Sequence, residues 1–384
     1  MYKLKDFAQD ISVAIKDAQS SPFDRFVGLE HYDSGEPVIT RYTDKSLLSS
    51  SVKEFRKNDI LIARRNVYLK RAGIAFFDGL TSGDSIVLRI YDDCESRTGI
   101  SKQDAIRIIP FILNSNVFWA YANKHADGMN SKRISKEMLY DYEFDLPPLA
   151  EQKVLAEKLW AAYRLKESYK KLLAATEEMV KSQFIEMFDH SERTKPLSEF
   201  IETSFPGEWG QEDKKGDGVK VIRTTNFTNS GKLNLSDVVT RDIDAAKVDK
   251  KKLKRGDIIL ERSGGTNENP VGRVVYFDEE GTYLFNNFTQ LLRCKEGVNK
   301  TFLFYSLFNY YQTHKSVIRS MGNKTTGIQN LKMERYWQIP IADISIEQQN
   351  AFEAIYQQAD KSEFELRKSI DAIDAVIKSL INSQ

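Results

Sequence analysis

Arginine, lysine and amide side chains directly follow two strand-like stretches of the sequence. These polar side chains come after residues 59–63 and after residues 257–260, and they are Arg64, Arg65, Asn66, Lys70 and Arg71 in the first case and Arg262, Ser263, Asn267, Asn269 and Arg273 in the second. An arginine offers two parallel donors that match O6 and N7 of guanine, an asparagine matches N6 and N7 of adenine, and either can hold a phosphate. The pattern suits a nucleic-acid contact, and on this feature alone a solvated polar loop explains it equally well.

Further polar residues stand where they could join these loops. One basic pair, at 132–133, precedes a predicted long helix, a polar pair at 324–325 precedes another, and a third group lies at 225–226 and 287. The lysine-rich run 250–255 suits phosphates better than bases, because a lysine ammonium lacks a fixed two-donor geometry. The predicted nucleic-acid-binding set is Arg64, Arg65, Asn66, Lys70, Arg71, Lys132, Arg133, Thr225, Asn226, Arg262, Ser263, Asn267, Asn269, Arg273, Asn287, Lys324 and Thr325.

The sequence carries no catalytic signature. Its four histidines, at 31, 125, 190 and 314, form no HExxH pair and no cluster with cysteine, and there is neither a Gly-Lys-Ser/Thr phosphate loop nor a nucleophile elbow. Mixed acid and lysine groups such as 212–214 are expected by chance in a chain with 29% charged residues. We predict a chain that is not an enzyme and that holds no cofactor or metal. An enzyme with an unrecognised site is the weaker alternative.

Two long helices must position the loops. Apolar residues recur at spacings of three, four or seven through 149–188 and again through 345–384, which predicts one apolar stripe on each of two helices of matching length. Each would run for about 50–60 Å at a rise of about 1.5 Å per residue. They can pair with each other, or each can lie on its own globular domain.

An internal repeat favours the paired arrangement. Residues 4–7 resemble 197–200, residues 57–61 resemble 255–259, and Glu-Gln near the start of each long helix recurs at a displacement of about 196 positions. The chain is therefore read as two diverged copies of one unit, each a globular head followed by a long helix. If the helices pair antiparallel, a pseudo-two-fold axis relates the copies and places the heads at opposite ends of a rod.

The heads are predicted to be rich in short strands. Apolar runs bounded by Gly, Asp or Ser suggest these strands, and the aromatic stretches 110–124 and 301–319 each predict one helix on the sheet. We also expect an early helix over 4–15 and polar loops over 126–133 and 322–327.

The predicted fold class is α+β, with two pseudo-repeated mixed α/β heads separated by two long helices that pair as an antiparallel coiled coil. The predicted domains are a first head over 1–148, a central long helix over 149–188, a second head over 189–344 and a closing helix over 345–384 that pairs with the central one.

Composition fits a globular protein of two domains. The 384 residues are 41% hydrophobic, with only 9 prolines, and the two cysteines, Cys94 and Cys294, are too few for a disulfide framework. The start has no apolar signal region and no run is long enough to span a membrane, so we expect a cytoplasmic location. A net charge of +1 means that any nucleic-acid role rests on local patches or on a partner.

These features together resemble the specificity (S) subunit of type I DNA restriction-modification systems. The resemblance rests on Pro-Pro-Leu-Ala-Glu-Gln at 147–152, on Ile-Pro-Ile at 339–341 with Ile-Glu-Gln at 346–348, on the Lys/Arg-x-Asp-Ile-Ile/Leu strand of each head, and on the order head, helix, head, helix. The second copy departs from the pattern, with Ala-Asp-Ile at 342–344 where Pro-Pro would be expected.

The resemblance implies a non-catalytic targeting subunit. Each head would be a target recognition domain that reads one half of a bipartite, asymmetric target in double-stranded DNA, and the paired helices would set the spacer. Two methyltransferase (M) subunits that use S-adenosylmethionine would dock on the chain, and through them two restriction (R) subunits that use ATP and Mg. Neither a membrane nor a cofactor of this chain itself is implied. The alternative is a protein-interaction scaffold with a coiled-coil rod that reads no DNA.

Overall fold

The computed structural model describes residues 1–48, 51–129, 131–188, 191–266, 268–325 and 328–382. The chain forms two compact units, one made of Met1–Leu172 with Leu366–Gln384 and the other of Leu173–Glu365. Each unit holds one head and one part of each long helix, because α6 (Leu149–Phe188) and α11 (Ile346–Asn382) both cross the boundary.

The first head is built from twelve short strands and five short helices within the described ranges. Its strands are β1 (Tyr2–Lys3), β2 (Ala8–Asp10), β3 (Ala14–Ile15), β4 (Arg25–Val27), β5 (Val38–Ile39), β6 (Thr43–Asp44), β7 (Val52–Phe55), β8 (Ile60–Ala63), β9 (Ala72–Ala75), β10 (Gly79–Ser82), β11 (Ser85–Ile90) and β12 (Glu143–Phe144). Its helices are α1 (Leu4–Phe7), α2 (Cys94–Thr98), α3 (Lys102–Ile112), α4 (Asn116–Lys124) and α5 (Lys136–Tyr140).

Two five-stranded sheets organise this head, in the orders β3-β7-β10-β4-β6 and β2-β11-β8-β9-β5. Strand β8 is central in the second sheet and buried on both faces. Ile60 and Ile62 pack in the cluster that contains the helices, whereas Leu61 packs with Phe55 of the other sheet. A strand covered on both sides needs a continuous apolar run, which is why this segment stands out in the sequence.

Two predicted helices of the first head differ in extent. The early helix ends at Phe7 rather than at residue 15, because the chain continues as β2 and pairs with β11 at the edge of the sheet. The stretch 110–124 forms the end of α3 and the whole of α4, since Ser115 interrupts it by accepting a hydrogen bond from Phe118 N and so caps a new helix.

The second head repeats the plan with a different arrangement of strands. They are β13 (Thr194–Pro196), β14 (Ile201–Thr203), β15 (Gln211–Glu212), β16 (Val219–Ile222), β17 (Val239–Asp242), β18 (Asp257–Glu261), β19 (Ser263–Gly264), β20 (Val274–Phe277), β21 (Tyr283–Phe285), β22 (Thr289–Cys294), β23 (Gly322–Thr325), β24 (Ile328–Leu331) and β25 (Pro340–Ala342). The helices are α7 (Ala245–Lys251), α8 (Lys300–Thr313), α9 (Lys315–Ser320) and α10 (Met333–Tyr336). The sheet orders are β14-β22-β18-β20, β15-β17-β16-β21 and β19-β24-β23.

Two predictions for this head need correction. The stretch 301–319 is two helices, because α8 ends at Thr313 and α9 begins at Lys315. The predicted polar loop 322–327 contributes strand β23, which pairs antiparallel with β24 as a hairpin. Polar residues do not distinguish a loop from a short strand, and residues 326 and 327 lie outside the described residues.

The repeat is visible in matching local contacts. Strand β1 pairs with β12 just before α6, and β13 pairs with β25 just before α11. Asp59 accepts both donors of Arg89, and Asp257 accepts both donors of Arg293 in the same manner. The two heads therefore share a scaffold.

The long helices pack together, as predicted. In the first unit Leu155 and Leu159 of α6 share an apolar cluster with Ile377 and Ile381 of α11. In the second unit the ring of Phe184 of α6 lies 5.1 Å from that of Phe352 of α11. The beginning of each helix thus meets the end of the other, and the pairing is antiparallel. Among the described residues, no helix combines the length and hydropathy that crossing a bilayer requires.

Candidate nucleic-acid interface

Three predicted arginines of the first unit converge on one carboxylate. Arg64 and Arg65 directly follow β8, and Arg65 forms a β-bridge with Arg133, which brings the two polar loops together. Asp84 lies 3.7 Å from Arg64 Nε, 3.5 Å from Arg65 Nη1 and 3.5 Å from Arg133 Nη2. The sequence analysis missed this aspartate, because it belongs to an ordinary turn between β10 and β11.

This arginine cluster, defined as Arg64, Arg65, Arg133 and Asp84, keeps a net positive charge. Its three arginine side chains are 40–47% exposed, and one carboxylate offsets only one of their charges. Lys132, next in the chain, is exposed as well. Side chains held by a shared acid yet open to solvent can present donors to an anion or to a base edge.

The turn beside the cluster has an unusual backbone. Asn66 and Lys70 have φ values of 55° and 50°, and they flank a 3₁₀ turn, Val67–Leu69. Non-glycine residues with positive φ are uncommon and concentrate at functional sites. At the tip of this turn the side chain of Tyr68 is 60% exposed, a feature that the sequence analysis also missed.

Buried polar atoms without partners gather at the same place. Within the described residues, Arg64 Nε, Asn66 Oδ1 and Arg71 Nε are buried and have no hydrogen-bond partner. A buried polar atom in that condition costs stability and calls for an explanation, such as a ligand that satisfies it.

The side chain of Arg71 binds the backbone of the first head. Its guanidinium donates to the carbonyl oxygens of Leu29 and Arg65 at 3.0 and 2.9 Å, and burial lowers its pKa. Arg71, a member of the predicted binding set, thus supports the backbone of Arg65 in this arrangement. Lys70 lies nearer to solvent, with Nζ 3.4 Å from Asn116 Oδ1.

In the second unit the corresponding strand end carries hydroxyl and amide groups around one arginine. Arg262 follows β18, and its Nη1 lies 3.4 Å from Gln290 Oε1. Ser263 begins β19 and donates from Oγ to Asn330 Oδ1 at 2.6 Å, so that the hairpin β23–β24 is joined to this strand end. Arg262 is half-buried, whereas Ser263 is buried.

Two predicted residues of this unit are held inside the fold. Arg273 donates from Nε and Nη2 to the buried carboxylate of Glu261 at 2.7 and 3.1 Å. Burial alone would lower its pKa, but the carboxylate raises the pKa on balance. Asn226 is buried, accepting from Arg223 N and donating to the carbonyls of Asn234 and Asp237. Both side chains therefore have partners within their own head.

The remaining predicted residues of the second unit are Thr225, Asn267, Asn269, Asn287, Lys324 and Thr325. Thr225 and Asn287 are exposed, and Asn287 precedes Phe288, which is 42% exposed and does not belong to the predicted set. Asn269 closes a short turn through bonds with Thr266. Lys324 and Thr325 lie on β23, where only their backbone pairing is described, and Asn267 lies outside the described residues.

The lysine-rich run is partly neutralised by neighbouring acids. Lys251 contacts Glu208 at 3.1 Å, and Arg255 contacts Asp278 at 2.7 Å. The second unit therefore offers fewer arginines and more amides than the first. Among the described residues, there is no group of three or more His, Cys, Asp or Glu side chains placed to hold a metal ion.

Comparisons with known proteins agree with this geometry. Residues 193–372 match the family model described as the type I restriction modification DNA specificity domain. A chain from a structure on complex assembly and conformational transition of the type I R-M system is 14% identical, with a TM-score of 0.53 and coverage of 100% of this chain and 98% of that one. The type I restriction-modification S subunit from M. genitalium is 12% identical, with a TM-score of 0.53 and coverage of 99% and 94%. No curated protein matches the chain.

At such low identities the structural likeness establishes the fold, and the sequence match applies to residues 193–372. As the motifs predicted, residues 193–372 match the DNA specificity domain of type I restriction-modification systems, and the whole chain has the fold of a solved S subunit of such a system.

Proposed function

We propose that each head reads one half of a bipartite, asymmetric target in double-stranded DNA and that the paired helices set the spacer and dock methyltransferase subunits. The observation that carries this proposal is the convergence of three half-exposed arginines beside a strained turn in the first unit. A positive, pre-positioned set of donors at a strand end suits a major groove, where guanine presents O6 and N7 together.

The two heads read different half-sequences in this proposal. Arg64, Arg65 and Arg133 favour guanine contacts in one half. The corresponding place in the second unit offers Arg262 together with amide and hydroxyl groups, which suit adenine or mixed contacts. Thr225 and Asn287 are exposed and could extend that contact surface.

The long helices support the spacing and docking parts. At about 1.5 Å per residue, the 40 residues of α6 give a helix of about 60 Å, long enough to relate contacts one turn of DNA apart. Both helices expose large apolar side chains, including Leu165 on α6 and Phe364 on α11, and exposed apolar surface favours a protein partner. Catalysis would belong to the partners: M subunits with S-adenosylmethionine and R subunits with ATP and Mg.

Genome-wide mapping of N6-methyladenine tests the proposal. The chain would be expressed with its neighbouring methyltransferase in a host without methylation. We expect one bipartite motif methylated on both strands. A pair that associates but methylates nothing would refute DNA reading and favour a scaffold role, and salt-insensitive binding to duplex DNA would do the same.

A matched pair of variants then tests the arginine cluster. Replacing Arg65 with alanine should weaken specific binding by about 1–3 kcal/mol if this side chain meets a base edge. Arg97, equally exposed on α2 and paired with Asp93, is the control and should have no effect when replaced by alanine. A uniform loss across all sequences would instead indicate that Arg65 contacts phosphate.

A further inference from the structure

A charged contact joins the head to the long helix in the first unit. Glu36, in a turn between strands, accepts from Lys166 Nζ at 2.7 Å and from Lys170 Nζ at 2.9 Å, both on α6. Lys166 also donates to Asp374 of α11 at 2.6 Å. The side chains of Lys166 and Glu36 are only 7% and 15% exposed, so the pair is largely shielded from solvent. We call this contact the first clamp.

The second unit contains a clamp of its own. Lys232, in a turn of the second head, donates to Glu363 Oε2 at 2.9 Å and to Asp360 Oδ1 at 2.5 Å, both on α11. Glu363 is buried and Lys232 is half-buried. Here the head supplies the cation and the helix supplies the anions.

The two clamps occupy the same place in the repeat. Glu36 follows Ser-Gly at 34–35, and Lys232 follows Ser-Gly at 230–231. The glycine before each has a φ of 75°, so both turns have the same left-handed conformation. On the helices, Lys166 and Glu363 stand 197 positions apart, the displacement that also relates the buried glutamines Gln152 and Gln349. The same contact is thus made twice with its charges reversed.

We infer that the opposite charge signs of the two clamps determine which long helix each head packs against. Each head binds its own helix and is repelled by the helix that the other head binds. Apolar packing between head and helix discriminates poorly, because it is non-directional and both units use aromatic contacts. Trp160 of α6 packs on Phe111, and Tyr356 of α11 packs on Tyr305. Like charges in a shielded contact discriminate strongly.

If each head packed against the helix of the other head, like charges would meet in both clamps. On α11, Glu36 would face the carboxylates of Glu363 and Asp360. The second exchange is equally unfavourable, because the ammonium of Lys232 would face those of Lys166 and Lys170 on α6. The clamp residue of each head is therefore attracted to only one of the two long helices.

The ionisation of Glu36 and Lys232 is consistent with this inference. Burial alone would raise the pKa of Glu36, but the lysines of α6 lower it on balance. Burial alone would lower the pKa of Lys232, but Asp360 and Glu363 raise it on balance. Both head residues are accordingly charged at neutral pH.

The residues of the clamps are positioning residues. Their effect on DNA recognition rests on the proposed function. If each head is fixed to one helix, the order and orientation of the two half-sequences are fixed too. Glu36 and Lys232 would then control the target without touching DNA.

A charge exchange in the full chain tests the inference. The variant E36K/K232E has the same composition and net charge as the original chain but opposes like charges in both clamps. We expect the midpoint of thermal unfolding to fall by about 5–10 °C, as for breaking a buried ion pair. Amide hydrogen exchange at Gly35 and Gly231 should accelerate. The exposed pairs Lys5–Asp141 and Lys252–Asp249 provide the matched control, K5D/D249K, which also opposes like charges in two pairs at unchanged composition and should change neither measurement.

The variant E36K/K166E/K232E/E363K reverses the central ion pair of each clamp, Glu36–Lys166 and Lys232–Glu363, and should recover at least half of the lost stability. Full recovery is not expected, because neighbouring Lys170, Asp374 and Asp360 keep their signs. Should the double variant fail to fold, the neutral variants E36Q and K232M are measured instead, and each should accelerate exchange in its own turn only.

Two results would overturn the inference: a double variant, or neutral variants, with the stability and exchange of the original chain, or a fourfold variant no more stable than the double. Methylation mapping on the same variants separates the two proposals. A loss of the methylated motif in E36K/K232E with its return in the fourfold variant supports both. An original chain that directs no methylation while the stability pattern holds would refute the proposed function and leave the clamps supported.

Discussion

Replacing Asp257 with asparagine should destabilise the second unit strongly. The carboxylate of Asp257 accepts from Arg293 Nε at 2.8 Å, from Arg293 Nη2 at 2.6 Å and from Lys254 N at 2.7 Å. Because donors approach both carboxylate oxygens, the amide group of asparagine would face a donor in either orientation. The substitution therefore loses hydrogen bonds, and it leaves the guanidinium of Arg293 without its counter-charge.

The size of the effect follows from burial. Breaking one partner of a buried ion pair costs about 3–5 kcal/mol, and about 1 kcal/mol shifts the midpoint of a unit this size by about 2–4 °C. The matching substitution, Asp59→Asn, should cost about half as much, because Arg89 is 38% exposed whereas Arg293 is only 19% exposed. A difference between two otherwise similar contacts is a sharper test than either value alone.

Thermal unfolding combined with amide hydrogen exchange measures the two units separately. Asp278 pairs with Arg255 on the surface of the second unit, so Asp278→Asn is the matched control and should cost less than about 0.5 kcal/mol. If D257N were as mild as D278N, the assignment of Asp257 to holding the sheet together would be wrong. Equal losses in D257N and D59N would refute the dependence on burial.

Three further predictions test the helices, the first clamp and the core. Inserting about four residues, one helical turn, near Ala174 and near Ile370 should lengthen the spacer of the methylated motif and leave its half-sequences unchanged; an unchanged spacer would contradict a ruler role. The pKa of Glu36 is lowered in the folded state, so its contribution to stability is present above its ordinary pKa of 4.5 and is lost as the pH falls below that value. Glu36→Gln should therefore destabilise the chain at pH 7, by a margin that shrinks on acidification in pH-dependent melts; a constant margin would contradict this. Burial raises the pKa of Cys294 to about 12 and also raises that of Cys94, so neither thiol should react with iodoacetamide before unfolding, and labelling of the native chain would refute this.

The repeated strand motif could be found in the sequence, but the role of its aspartate could not. Asp59 and Asp257 were noticed because each precedes a buried apolar run, and the arginines after those runs suggested a binding loop. The partner of each aspartate lies far along the chain, at Arg89 and Arg293. A pairing across strands depends on sheet register, which local spacing does not determine.

The same limit applies to the candidate site. Arg71 and Arg273 have the residue type and loop position of a DNA contact, yet each is bonded inside its own head. Conversely, Asp84 orients three arginines although nothing in its sequence neighbourhood marks it. Residue type indicates which chemistry is possible, whereas exposure and partners decide whether it is available.

The register of the repeat shows what a structure adds to a sequence comparison. Matching Glu-Gln in the two helix entries gave a displacement of 196, which equates Gln152 with Gln348. In the structure Gln152 donates to the carbonyl of Pro147, five residues earlier, and Gln349 donates in the same way to Ile344. Both glutamines are buried, while Gln348 is exposed. The helices therefore correspond at 197, and only at that displacement do Lys166 and Glu363 become equivalent.

Comparing the two copies separates residues that build the scaffold from residues that distinguish the heads. The paired aspartates and the buried glutamines are kept in both copies and make the same internal contact twice, and the Ser-Gly turns are kept with the same glycine φ of 75°. The strand ends differ in sequence, as two readers of different half-sequences require. The clamps differ in another way, because the contact is kept while its charges are reversed. Folding of one unit needs only opposite charges in its clamp, and either arrangement of signs would serve. The reversal of signs between the two clamps therefore matters only because it keeps each head from packing against the helix that the other head binds.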